Sequence, residues 1–141
     1  MAANLNYTLT LNKTRADAVT TAVGNAGKLY LFSGTQPAAP SVTHAETLIA
    51  GPFTPLGTPF ASAAATQATY QARLSPTLPS NVNASSSGQA TWWRVCTSAG
   101  DGSTNGVIDG SAATSAADMT VGAATVGQPV AITAWTIDTN Q

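Results

Sequence analysis

The stretch Ala90-Thr-Trp-Trp-Arg-Val-Cys-Thr97 carries the clearest strand signal in the chain. Its aromatic and β-branched residues favour an extended backbone. Because side chains alternate along a strand, Trp92 and Trp93 must point to opposite faces, and Arg94 shares the face of Trp92. A polar, glycine-rich segment follows, and Val107–Ser111 then returns. This order predicts a β-hairpin.

Further short strands are predicted on both sides of this hairpin. They are Lys28–Ser33, Glu46–Ala50, Thr69–Leu74, Asp118–Thr125 and Pro129–Asp138. Gly and Pro residues separate these segments, and short strands joined by Gly- and Pro-rich turns are typical of all-β domains. The sequence therefore predicts a single all-β domain over residues 1–141, with a β-sandwich or jelly-roll-like architecture.

The N-terminal region is predicted to combine an extended arm with one short helix. The arm, over residues 1–12, is indicated by apolar side chains that alternate with polar ones, namely Leu5, Tyr7, Leu9 and Leu11. Residues 13–24 change to a helical spacing of apolar side chains, with Thr14 as the N-cap and Gly24 at the end. The β-rich body is expected over residues 28–141.

Charged residues are scarce in this chain. They make up only 8% of the sequence, against about a quarter in typical domains. A surface of hydroxyls, amides and methyls is cheap to desolvate, since few charges would need partners. This composition indicates a chain that packs against other protein molecules. A general bias in the composition of proteins from the same genome would also explain it. The net charge is −1, and without a basic cluster no nucleic-acid partner is expected.

The sequence gives no sign of export or of membrane insertion. The first residues lack the charged and apolar regions of a signal peptide, and no apolar run reaches the length of a membrane span. Cys96 is the only cysteine, so an internal disulfide is excluded. Since Cys96 lies in an apolar run, we expect a small buried hydrophobic side chain.

Residues that could carry chemistry are few. His44 lies in a polar loop with no marked nucleophile, so it is interpreted as a solvated loop histidine. The segment Asp101–Gly106 matches the first half of a calcium loop, but Ala112 stands where the bidentate Glu belongs, so a hairpin turn is favoured. Asp109 and Asp118 are interpreted as turn residues that bond their own backbone. We therefore expect no enzyme activity, no metal and no cofactor.

The tryptophans raise the question of an interface. In a two-sheet sandwich only one of Trp92 and Trp93 can lie in the central core. The other needs cover from the helix, from the arm or from a partner chain, and Trp is enriched at protein interfaces. A sugar-binding platform that uses the tryptophans, Trp135 included, is a further alternative.

Five segments, in this order, carry a resemblance to a known group of proteins. They are Leu5-Asn-Tyr-Thr-Leu-Thr10 with its following helix, Gly27-Lys-Leu-Tyr-Leu-Phe-Ser-Gly-Thr-Gln-Pro37, Ala90-Thr-Trp-Trp-Arg-Val95, Val107–Val121, and Pro129-Val-Ala-Ile-Thr-Ala-Trp-Thr-Ile137. Together they resemble the capsid decoration, or cement, proteins of tailed bacteriophages. The middle of the chain, Pro37–Ser87, carries little of this likeness.

The resemblance implies a β-rich virion protein, made in the cytoplasm of the bacterial host, that binds the outer capsid surface and cements neighbouring capsomers. Its partners would be the major capsid protein and further copies of itself, as a dimer or trimer. A phage tail or fibre component and a carbohydrate-binding module are the alternatives. The residues themselves, independently of the resemblance, suggest an interface formed by Leu5, Tyr7, Leu9, Leu11, Trp92, Arg94 and Trp135.

Overall fold

The computed structural model describes residues 9–53, 64–66, 71–74 and 78–138, and these residues form one helix and short strands. In chain order the elements are α1 (Leu9–Val23), β1 (Lys28–Ser33), β2 (Thr47–Phe53), β3 (Ala64–Thr66), β4 (Gln71–Leu74), β5 (Val82–Asn83), β6 (Trp92–Cys96), β7 (Gly106–Ala113), β8 (Met119–Val121), β9 (Pro129–Val130), β10 (Ile132–Trp135) and β11 (Ile137–Asp138). The predicted combination of a mostly β chain with one short helix is confirmed.

The largest element is a six-stranded sheet in the order β10-β8-β7-β6-β1-β2. Its neighbours are antiparallel except for β7 and β8, which run parallel. Two smaller sheets have the orders β11-β4-β3 and β5-β9. The antiparallel pairing of β6 with β7 confirms the predicted hairpin.

Strand β6 is buried on both of its faces. On one face, Trp93 lies opposite Leu31 of β1 and belongs to the main core, together with most buried apolar side chains of the chain. On the other face, Trp92 lies opposite Phe32 and belongs to a separate cluster. The prediction that the two tryptophans face opposite sides is confirmed.

Helix α1 begins earlier than predicted, at Leu9. The extended-arm prediction is therefore wrong for Leu9 and Leu11, while Leu5 and Tyr7 lie outside the described residues. Thr14 is not the N-cap, since its hydroxyl donates to the Thr10 carbonyl oxygen one turn earlier, at 3.0 Å.

The early start of α1 follows from which side chains it buries. Asn12, Ala16 and Val23 are 3%, 0% and 3% exposed, so the buried stripe begins at Asn12, one residue before the predicted helix. Within the helix, Lys13 and Asp17 form an ion pair four residues apart, at 2.5 Å. Helix α1 lies against β3, β4 and β7.

The C-terminal segment was predicted as one strand, with Val130 and Ile132 on one face and Trp135 and Ile137 on the other. The burial of all four side chains agrees with the prediction, but the division into two faces is wrong, because all four belong to the one main core. The segment is split among β9, β10 and β11, and a register shift between Ile132 and Ala134 breaks the alternation. The shift turns Trp135 into the main core, where its ring meets Trp93 edge-on with centroids 5.2 Å apart.

Gly110 is required beside the core tryptophan, because a Cβ there would run into the Trp93 ring. We expect Gly110→Ala to lower the free energy of unfolding by about 1–3 kcal/mol, as overpacking does. Gly122→Ala is the matched control, since a Cβ there meets nothing within 4 Å. We expect the control to stay within about 0.5 kcal/mol of the parent protein in urea unfolding. Equal effects of the two changes would contradict the packing argument.

Candidate functional site

The expected exposed tryptophan anchor is absent from the described part of the chain. Trp92, Trp93 and Trp135 are 1%, 1% and 3% exposed, and Arg94 is fully buried. The prediction that Trp92, Arg94 and Trp135 contact a partner directly is therefore wrong, because other parts of the same chain cover their side chains. Leu11 is 45% exposed on α1, so its role in an interface stays a prediction.

The cover over Trp92 is supplied by residues 35–46, which we call the strap. Below it lies the outer cluster, in which Phe32 stacks on Trp92 with centroids 4.4 Å apart and Tyr30 and Cys96 complete the buried set. His44 of the strap meets the rings of Phe32 and Trp92 edge-on, at 4.4 and 4.8 Å. The strap thus seals the face of the sheet that does not carry the main core.

Arg94 forms a buried ion pair with Asp109 beneath the strap. The guanidinium Nε and Nη2 donate to the two carboxylate oxygens of Asp109 at 2.8 Å each, and the side chains are 0% and 2% exposed. Such two-bond pairing of Arg with a carboxylate is strong and fixes the geometry of both side chains. The guanidinium carbon also lies 5.3 Å from the centre of the Trp92 ring, within reach of a cation–π interaction.

The remaining donors of Arg94 bind two loops. On the strap they reach the carbonyl oxygens of Val42 at 3.2 Å and Ala39 at 3.5 Å. The hairpin loop consists of residues 97–105, between β6 and β7. There the donors reach the carbonyl oxygens of Gly102 at 3.4 Å and Ser103 at 3.3 Å. One guanidinium therefore satisfies polar backbone groups of both loops, which would be costly to bury without partners.

His44 closes the strap onto the hairpin loop. Its Nδ1 accepts from the backbone N–H of Glu46 at 3.3 Å, which leaves Nε2 to donate to the Gly102 carbonyl oxygen at 3.0 Å. The interpretation of His44 as a solvated loop residue is therefore wrong. It is half-buried and has a packing role.

The titratable groups of the outer cluster are not arranged for nucleophilic chemistry. Burial raises the pKa of the Cys96 thiol, although the Gly102 backbone and the charge of Arg94 partly oppose the shift. A raised pKa keeps the thiol protonated, whereas nucleophiles need the thiolate. Burial also raises the pKa of Tyr30, whose hydroxyl donates to the Gly100 carbonyl oxygen at 3.1 Å. These groups serve as packing and hydrogen-bonding residues.

The carboxylate of Asp101 organises the hairpin loop. Its Oδ1 accepts from the backbone N–H and the hydroxyl of both Ser103 and Thr104, at 2.9–3.1 Å. These bonds make Asp101 the acceptor of a tight turn, as the hairpin interpretation predicts. Asp109, in contrast, was wrongly interpreted as a turn residue, because it binds Arg94 across the hairpin. Asp118 accepts from the backbone N–H of Ser111 at 3.0 Å.

A surface without charged residues lies at the paired segments 80–88 and 122–130, which we call the charge-free face. Backbone bonds join the segments: Ala84 N–H to Gln128 O at 2.8 Å, and reciprocal bonds between Gly88 and Ala124 at 2.9 and 2.7 Å. Neither segment contains Asp, Glu, Lys, Arg or His. Val126, in the second segment, is 58% exposed.

Two general properties of the described residues bear on partners. In residues 9–53, 64–66, 71–74 and 78–138, no three or more His, Cys, Asp or Glu side chains are grouped to hold a metal ion. Within the same part of the chain, no helix is long and apolar enough to cross a membrane.

Comparisons of the chain with protein-family models, with curated proteins and with solved structures gave no match.

Arg94→Met leaves Asp109 as an unpaired buried charge. We expect this change to lower the free energy of unfolding by about 3–5 kcal/mol. The double variant Arg94→Met, Asp109→Leu should recover the part of that loss that comes from the unpaired carboxylate, and the part that comes from the loop carbonyl oxygens should remain. Lys13→Met is the control, because its half-exposed pair with Asp17 contributes about 0.3–0.5 kcal/mol. A double variant as unstable as Arg94→Met would contradict the ion-pair argument.

The turn bonds around Asp101 predict an acid-resistant loop. Hydrogen bonds from the backbone and hydroxyl groups of Thr104 and Ser103, the Thr104 backbone first, lower the pKa of Asp101 from 3.8 to about 2. Because that pKa is lowered, these bonds persist above it and are lost as the pH falls through about 2. Carboxyl NMR titration measures this midpoint. Ser103→Ala should raise it, and an Asp101 midpoint at its ordinary value in the parent chain would refute the prediction.

Proposed function

We propose that this chain is a structural protein that binds other proteins, and specifically that it decorates the outer surface of a tailed-phage capsid and cements neighbouring capsomers. Its partners are the major capsid protein and further copies of itself. The charge-free face is the observation that carries the proposal, and the resemblance of the five segments supplies the identity of the partner.

The charge-free face suits a docking surface for a physical reason. Burying a charge without a partner costs far more than burying a hydroxyl or amide that finds a hydrogen bond. Exposed groups here, such as Ser85, Ser87, Thr125 and Gln128, can exchange water for bonds to a partner. Val126 adds exposed apolar area to this face. This surface can therefore be covered without a charge that the partner must match.

The carbohydrate-binding alternative loses its support in the described chain. A stacking platform needs an aromatic ring with a free face, and the three tryptophans are all buried. Trp92, the one outside the main core, has the rings of Phe32 and His44 and the guanidinium of Arg94 around it. No specific observation favours a tail or fibre component over the decoration protein.

A β-sandwich is the architecture that we propose for this function. Its first layer is the six-stranded sheet, and its second is α1 together with the β11-β4-β3 sheet. Ala16 and Val23 of α1 and Ile137 of β11 belong to the same core cluster as Trp93, which supports packing of these elements on that face. The strap covers the opposite face, so the sheet has apolar cover on both sides.

Binding in this proposal rests on many modest contacts, which avidity multiplies across a repeating lattice. Cosedimentation of the purified protein with protein-free phage heads tests it. We expect saturable binding at hundreds of copies per head, which is about one or more per capsomer. Such a density lets avidity act across the lattice. Binding to isolated tails instead, or to neither particle, would overturn the proposal.

Val126→Glu tests the docking face directly. We expect it to weaken head binding about tenfold or more, because an unpaired carboxylate would have to lose its water on docking. Ser115→Glu adds the same charge at an exposed position between β7 and β8 and should leave binding unchanged. Thermal melting of both variants checks that the fold is kept.

Deletion of residues 1–8 tests whether docking depends on the N-terminal segment or on the charge-free face. It removes Leu5 and Tyr7 and leaves α1, which begins at Leu9, complete. Loss of binding on this deletion with no effect of Val126→Glu would assign docking to the N-terminal segment and refute the role of the charge-free face.

A further inference from the structure

The hairpin loop ends in the dipeptide Asn105-Gly106, the one place in the sequence where Gly follows Asn. Asn105 is exposed, and its backbone has a φ of 54°. Few residues with a side chain adopt this left-handed conformation, and Asn does so more readily than most, since its short amide can bond locally. The turn therefore favours Asn at position 105.

The fold also requires the glycine that follows. A Cβ on Gly106 would run into the carbonyl oxygen of Pro40 in the strap and would lie 3.0 Å from Cδ and Nε of Arg94. The close approach of the strap to the start of β7 thus excludes any side chain at position 106. Packing and turn geometry together dictate the dipeptide.

We propose that Asn105 is a site of spontaneous deamidation, independent of the capsid-binding function. The backbone nitrogen of Gly106 attacks Cγ of Asn105, a C–N bond forms, and the side-chain amide leaves as ammonia with the proton lost from that nitrogen. Water then opens the resulting cyclic imide at either carbonyl, which yields Asp or isoaspartate at position 105. Glycine at position 106 places no side chain in the path of ring closure.

The reaction needs movement at Asn105 alone, because the bonds of Arg94 and Asp101 hold the preceding residues 101–104. Across the hairpin, the Asn105 carbonyl oxygen accepts a long hydrogen bond from the Thr97 N–H, at 3.3 Å. Exposed loop segments of this kind open locally at a small free-energy cost. The reaction therefore needs no global unfolding.

Deamidation would change the loop in two ways. It adds a second carboxylate to the loop that contains Asp101 and whose carbonyl oxygens bind Arg94. In the isoaspartate product the backbone passes through Cβ of position 105, which lengthens the chain just before Gly106 pairs with Cys96. Both changes fall at the point where the strap rests on the hairpin.

Peptide mass spectrometry of protein aged at mildly alkaline pH tests the proposal. We expect Asn105 to deamidate faster than Asn25, an exposed turn residue followed by Ala26, which is the internal control. We expect the native rate to lie within about tenfold of the rate in denaturant, because loop opening costs little. Asn105 reacting no faster than Asn25 in the native protein would overturn the proposal.

Asn105→Gly provides the matched variant, because glycine accepts the left-handed backbone and has no amide to lose. Aged Asn105→Gly protein should elute as a single species on anion exchange, whereas aged parent protein should show a more acidic species. An identical acidic species in both would place the modification elsewhere and refute the assignment.

Discussion

The buried ion pair between Arg94 and Asp109 is the interaction on which the outer half of the structure depends. A charged pair inside a protein is stable only when its geometry is good and its remaining donors are satisfied. Here the pair has two 2.8 Å bonds, and the other guanidinium donors reach carbonyl oxygens of two loops. The pair therefore fixes the strap and the hairpin loop at the same time.

The need for that closure comes from the central strand. All five side chains of β6 are buried, including two tryptophans that point in opposite directions. An antiparallel sheet commonly leaves one face to water, but a sheet with Trp on both faces requires cover on both. α1 contributes to the cover of the main core, and the strap supplies the other layer. The strap has no regular secondary structure, so it depends on side-chain bonds from Arg94 and His44 to stay in place.

The parts of the fold that local pattern decides were predictable from the sequence. The β6–β7 hairpin and β1 have strong alternation or apolar character within a few residues, and both were predicted. The pairing of Arg94 with Asp109 was also accessible, since the two are direct cross-strand partners once the register of the hairpin is known. It was missed because an Asp before Gly110 was interpreted from its local turn preference alone.

Other features depend on tertiary burial that no local pattern reveals. Alternation up to Leu11 predicted an arm, yet the buried stripe of α1 includes the polar Asn12, which the pattern counts as outward-facing. The register shift in β10 turned Trp135 inward against the expected alternation. Trp92, Arg94 and Trp135 were predicted to form an interface, but all three are buried within the chain. The charge-free face is a property of two segments distant in sequence, so it emerges only when β5 and β9 bring them together.

Burial of the Arg94–Asp109 pair lowers the number of charged side chains at the surface of the molecule. The chain has five Lys or Arg and six Asp or Glu residues, and the buried pair removes one of each from the surface. Fixing the strap thus leaves a surface even poorer in charge than the composition suggests. With a net charge of −1, copies experience little electrostatic repulsion, which favours association. On the proposed function, a repeating capsid surface turns this tendency into ordered binding, because the same uncharged face can dock at every equivalent site.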